Sequence, residues 1–172
     1  MGMLKKKILA ITLAAVVGFT LGFFFRIAIE GNKFVLAEWS QEPIIVVCPD
    51  SSLTPNQVGL AIEWWKNRDF KVSHFHFDQT NTICNKGRFM DGIIFVRSRG
   101  KINPEFYATT ARFTIGSRLL SADIHLPNRN KDIPRLLEHE LGHALGLGHV
   151  EELGHMMHPI HFLGGEKFWI PD

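Results

Sequence analysis

The sequence predicts an α+β domain, α/β-like in its N-terminal part, preceded by an N-terminal transmembrane helix. Three observations carry this expectation. Runs of β-branched residues alternate with an amphipathic helix in the first half of the chain, and paired strands with one polar face follow. A second helix near the end of the chain holds closely spaced histidines. An uncharged apolar run precedes all of these elements.

That run extends from Ile8 to Phe25, behind Lys5-Lys6-Lys7 and before Arg26. At about 1.5 Å per residue it nearly matches a hydrocarbon core of roughly 30 Å. The upstream lysines favour an N-terminus left in the cytoplasm, with the following chain delivered across the membrane. Phe23-Phe24-Phe25-Arg26 offers no small-residue cleavage site, and Val35-Leu36-Ala37 lies far downstream. Residues 1–26 are therefore expected to form a single-pass signal anchor, 27–42 a tether and 43–172 one folded domain on the extracytoplasmic side. A cleaved signal peptide, which would make the protein secreted, is the alternative.

The chain has 172 residues, and the part beyond the apolar segment is long enough for a single core. Its formal charge of +2 is concentrated at the N-terminus. Beyond Arg26, 15 basic residues face 17 acidic ones, and no basic stripe suited to nucleic acid appears. The two cysteines, Cys48 and Cys84, are compatible with an oxidising compartment.

Ile44-Ile45-Val46-Val47 is a β-branched run suited to a strand buried on both faces. Thr54-Pro55-Asn56-Gln57 reads as a helix start, with Thr as N-cap, Pro at the first helical position and Gln at the capping-box position. Val58, Ala61, Ile62 and Trp65 then recur at helical spacing, which predicts a helix to about Arg68. Val72 to Phe77 sets His74 and His76 on one face against Phe75 and Phe77 on the other, and Gly92 to Arg97 holds another β-branched run. Ala111, Phe113 and Ile115 alternate with polar residues, as do Leu120, Ala122, Ile124 and Leu126. Asp132, with Pro134 just inside, is expected to open the last helix.

That helix begins the stretch His139-Glu140-Leu141-Gly142-His143-Ala144-Leu145-Gly146-Leu147-Gly148-His149. Residues four apart share a helix face, so His139 and His143 can bind one ion from consecutive turns, with Glu140 leaning over its open position. Gly146 can take the positive φ that reverses the chain and brings His149 back as third ligand. Met157 follows shortly afterwards.

The pattern HExxHxxGxxH followed by Met resembles the signature of the metzincin zinc endopeptidases. Met157-His158-Pro159, with Pro two residues after the Met, is similar to the matrixin version of the Met-turn. The resemblance covers roughly residues 43 to 159. It implies a metzincin catalytic domain: a twisted, mostly parallel five-stranded sheet with an active-site helix. It also implies one catalytic Zn2+ held by His139, His143 and His149, with Glu140 as general base and Met157 packed beneath the site. Peptide or protein would be the substrate, bound along an edge strand at Ala111, Arg112 and Phe113. By the same resemblance Arg135 would reach the floor of the pocket beside the metal, and His158 would line the cleft. A disulfide between Cys48 and Cys84 becomes plausible, because the resemblance places their strands as parallel neighbours.

The match thins elsewhere. His125 is similar to one structural-zinc ligand of the family, but no partner histidines or Asp-rich segment accompany it, so neither structural zinc nor calcium is expected. His74, His76 and His125 are read as ordinary sheet residues, and His155, His158 and His161 as surface histidines of a loop. No propeptide cysteine switch is expected. The protein is expected to be a monomer; the alternative to an active enzyme is an inactive, membrane-tethered binding module of the same fold.

Overall fold

The structure, a computed structural model, describes residues 34–87, 89–98 and 107–171. The transmembrane expectation for Ile8 to Phe25 lies outside these residues. Among the described residues no helix is long and apolar enough to cross a membrane.

The first helix, α1 (Pro55–Lys66), starts as its sequence asks: Gln57 N donates to Thr54 Oγ1 and Thr54 N donates to Gln57 Oε1, a complete capping box. It buries Val58, Ala61, Ile62, Trp64 and Trp65 against the sheet and the second helix. The strands are β1 (Glu38–Trp39), β2 (Ile44–Val47), β3 (Phe75–Phe77), β4 (Ile93–Arg97), β5 (Thr109–Ile115) and β6 (Arg118–His125). In the sheet β3, β2, β4 and β6 run parallel in that order, and β5 closes the edge antiparallel to β6.

Six strands replace the expected five, because β1 pairs parallel with the start of β6, Glu38 opposite Arg118 and Trp39 opposite Leu119. The segment read as a tether is thus folded from Phe34 onward. Phe34 and Ala37 are buried, and Trp39 Nε1 donates to Ala144 O. Isolated apolar residues without a period gave no local sign of this, since their partners lie about a hundred residues away.

Period-two alternation divides the core. Ile45, Val47, Ile94, Val96, Ala122 and Ile124 belong to the large cluster shared with the helices, while Val46 and Phe95 join Cys48 and Cys84 in a smaller one. Cys48 and Cys84 form a disulfide. Asp78, 3% exposed, sets up that linkage: its carboxylate accepts from the backbone N–H groups of Thr82, Ile83 and Cys84. Burial alone would raise its pKa, but these donors and the Thr80 hydroxyl hold it below the usual carboxylate value.

Candidate metal centre

The second helix, α2, spans Leu136–Ala144. Asp132 does not open it. The Asp132 side chain is taken by Gln57 Nε2 at 3.1 Å, and Arg135 precedes the helix at φ 64°, held in that left-handed turn by Glu138 and Glu166. Trp65 Nε1 donates to Glu138 O, which fixes α2 against α1.

Gly146 ends the helix at φ 104°, as the spacing required. A Cβ there would lie 1.9 Å from Ala37 O, so the glycine also admits the N-terminal segment, whose Leu36 N donates to Gly146 O. The reversal carries His149 back to the other two histidines.

His139 Nδ1 lies 2.8 Å from Met156 O, and His143 Nδ1 lies 3.0 Å from Leu147 O. A carbonyl only accepts, so both rings carry their proton on Nδ1 and present a bare Nε2. These Nε2 atoms face each other across 3.1 Å, and His143 Nε2 lies 3.0 Å from His149 Nε2. Two lone pairs at that separation repel unless a cation lies among them. A tetrahedral ion with nitrogen bonds of 2.0–2.1 Å would set its ligands about 3.3 Å apart, close to what the rings adopt. The three imidazoles therefore fit a metal ion.

Burial pushes His139 down to about 4 and His143 to about 3, with the neighbouring imidazoles adding to the effect. Burial, Arg112 and His158 lower His149 as well. All three stay neutral at physiological pH, the form that donates to a metal. Burial raises Glu140 to about 7, against the opposing hydrogen bond from Thr110. The hydroxyl of Thr110 on β5 donates to Glu140 Oε2. Met157 is fully buried, and a Cβ on Gly142 would meet its sulfur at 2.4 Å, so the Met packs under α2 rather than reaching the ligand atoms.

His139, Glu140, His143 and His149 open into a cleft of about 700 Å³, between β5 and the segment around Pro159 to Phe162. The model of the family described as Matrixin matches residues 56–171, about two thirds of the chain. The chain belongs to the matrixin family. No curated protein matches it. Family membership makes it a metallopeptidase-type protein and implies zinc at the histidine triad.

In this matrixin the other expected site residues are placed unevenly. Arg112 lines the cleft, whereas Ala111 and Phe113 point to the exposed face of β5. Arg135 lies in a neighbouring hollow with Met156 and Glu166, where its guanidinium is committed to carboxylates. His158 is buried beside Ile160 instead of lining the cleft, and His161, which bonds Pro134 O at 2.7 Å, stands in its place. His155 is not a surface residue: fully buried, its Nδ1 accepts from Met157 N and its Nε2 donates to Trp169 O. It thereby shapes the Met-turn from outside the motif. His125 is also more than an ordinary sheet residue. It pairs with Asp123 at 3.1 Å, and Asp123 meets Arg97 at 2.7 Å, a buried cluster joining β6 to β4.

Beyond Pro159 the chain forms one 3-10 turn, His161–Leu163, and then returns across the core. There Phe168 packs on Trp64, Trp65, Phe70 and Phe34. Ile160, His161 and Phe162 supply a wall of the cleft.

Proposed function

We propose that this matrixin is a zinc endopeptidase in which Glu140 is the general base. The observation that carries this reading is the set of converging, unprotonated Nε2 atoms with a buried carboxylate in the same cleft. When bound, the ion supplies a Lewis acid that polarises a carbonyl and brings the pKa of water toward about 7. His139, His143 and His149 would hold it, oriented by Met156 O and Leu147 O on the far side of two of the rings. Glu140 takes a proton from the attacking water and passes it to the departing amine nitrogen. Thr110 keeps the carboxylate turned into the cleft.

β5 pairs with β6 along one side, and no described strand pairs with its other edge. An extended substrate backbone running along that edge past Ala111, Arg112 and Phe113 would complete the sheet.

The assignment is tested by metal analysis of the purified chain together with peptide hydrolysis with and without chelator. Glu140→Gln should retain the metal and lose roughly 10²- to 10⁴-fold in kcat. Turnover that survives both chelation and Glu140→Gln refutes it.

Membrane attachment belongs to the same proposal. The uncharged run Ile8 to Phe25 behind three lysines supports an extracytoplasmic domain, as does a disulfide between Cys48 and Cys84. Release of the intact protein from membranes by alkaline carbonate would overturn an uncleaved anchor.

A further inference from the structure

Among the described residues the cleft is electrically lopsided along its length. β5 and α2 lie side by side, Thr110 reaching Glu140 and Arg112 reaching the carbonyls of His143 and Leu147. At the start of α2 the described walls are mainly apolar, Leu136, Tyr107, Ile160 and Phe162, with His161 among them and no arginine, lysine or carboxylate. At the end of α2, beside His149, the cleft is lined by the half-buried Arg112.

Among the described half-buried arginines the partners differ. Arg68 stacks on Trp64 and donates to Trp64 O and Glu166 O, outside the cleft lining. Arg97 meets Asp123, and Arg135 meets Glu138 and Glu166. Among the described residues no carboxylate pairs with Arg112. Its contacts are two carbonyl oxygens, Leu147 O at 3.2 Å and His143 O at 3.5 Å, both from the same terminal nitrogen. Those distances are long beside the roughly 2.7–2.9 Å of charge-assisted bonds. A guanidinium has five N–H donors in a planar fork, so most of these donors have no protein partner among the described residues. Glu140 is the only acidic residue lining the cleft among the described residues, and Thr110 already engages it.

A partly desolvated cation without a counter-charge, in the groove where substrate would lie, is matched by a carboxylate arriving with the substrate. We propose that Arg112 binds a substrate carboxylate, so that the peptides this matrixin prefers carry Asp or Glu close to the scissile bond on the His149 side of the site. This rests on the peptidase reading above and adds the substrate class to it.

The test uses the zinc-loaded protein and pairs of fluorogenic peptides that differ only by Asp for Asn, or Glu for Gln, at each position flanking the cut. Acidic members should be cleaved with kcat/KM about ten- to a hundredfold above their amide partners, mostly through KM. Arg112→Gln should bring that ratio to about one, Arg112→Lys should keep part of it, and Arg112→Glu should reverse the preference toward Lys and Arg peptides. Free-acid and amidated C-termini on the same peptides distinguish a side-chain carboxylate from a terminal one.

Equilibrium binding of the same pairs to the Glu140→Gln protein, followed by fluorescence anisotropy at rising salt, gives a readout without turnover. Acidic peptides should bind more tightly, and salt should erode that advantage. Equal cleavage and equal binding within each pair overturns the role of Arg112 and leaves the peptidase reading intact. Failure to cleave any peptide counts against the peptidase reading alone, because the binding comparison still decides for or against Arg112.

Discussion

Replacing Gly142 by Ala puts a single methyl where α2 crosses its support. The added Cβ would lie 2.4 Å from Met157 Sδ and 2.6 Å from Trp65 Cζ2. The Met side chain can swing away, but Trp65 is fully buried and its indole N–H is committed to Glu138 O at 2.8 Å. Overpacking costs about 1–3 kcal/mol, and with Trp65 unable to yield the upper part of that range, about 2–3 kcal/mol, applies; Ala recovers about 1 kcal/mol of helix propensity over Gly. The net expectation is a loss of about 1–2 kcal/mol. For a domain of this size that lowers Tm by roughly 4–8 °C. Calorimetry of chelator-treated protein isolates packing from metal binding. A Tm equal to or above that of the parent would refute the claim that the Met-turn acts by direct packing beneath α2.

Other outcomes follow from the same geometry. Replacing Cys48 and Cys84 by Ser opens a loop of sequence separation 36, which should remove about 4 kcal/mol in the chain-entropy estimate and shift the urea midpoint without abolishing metal binding. Asp78→Asn should weaken the loop that brings Cys84 to Cys48, lowering stability by roughly 1–3 kcal/mol at neutral pH, with the difference shrinking as acid protonates the native carboxylate. In the metal-free protein, His139 and His143 have folded values near 4 and 3 against about 6.5 unfolded, so the unfolded chain binds more protons in between, and stability should fall as pH drops below about 6.5. Glu140, raised to about 7, acts oppositely and loses its contribution as pH rises from about 4.5 to 7. Glu140→Gln should therefore steepen the acid-side loss, measured as Tm against pH; an unchanged slope would count against the burial assigned to these groups.

Local chemistry made much of this molecule legible in its sequence. The capping box at Thr54, the β-branched runs of β2 and β4 and the ligand spacing from His139 to His149 each depend on neighbours within about ten residues. The alternation in β5 and β6 marks strands but not their faces: β6 is buried on both sides, and in β5 Phe113 and Ile115 are exposed while Thr110 and Arg112 turn to the cleft. What stayed hidden depends on partners far along the chain. Nothing near Phe34 announces that it will lie under His155 and Phe168. Asp132 suits a helix cap by its neighbours, but a bond from Gln57, 75 residues earlier in the chain, engages its side chain instead. His155 resembled its exposed neighbours until Trp169 and the Met-turn enclosed it. The resemblance sets Arg135 at the pocket floor, but Glu166, 31 residues on, draws its side chain elsewhere.

The hold of Leu36 on Gly146 gives the domain an unexpected dependency. The turn that presents the last ligand is buttoned from upstream, by residues that enter the fold before its first long strand. Trimming the chain to Glu38 would spare the whole signature and still unfasten it. The first residues of the folded domain thus serve as the keystone of its candidate metal centre.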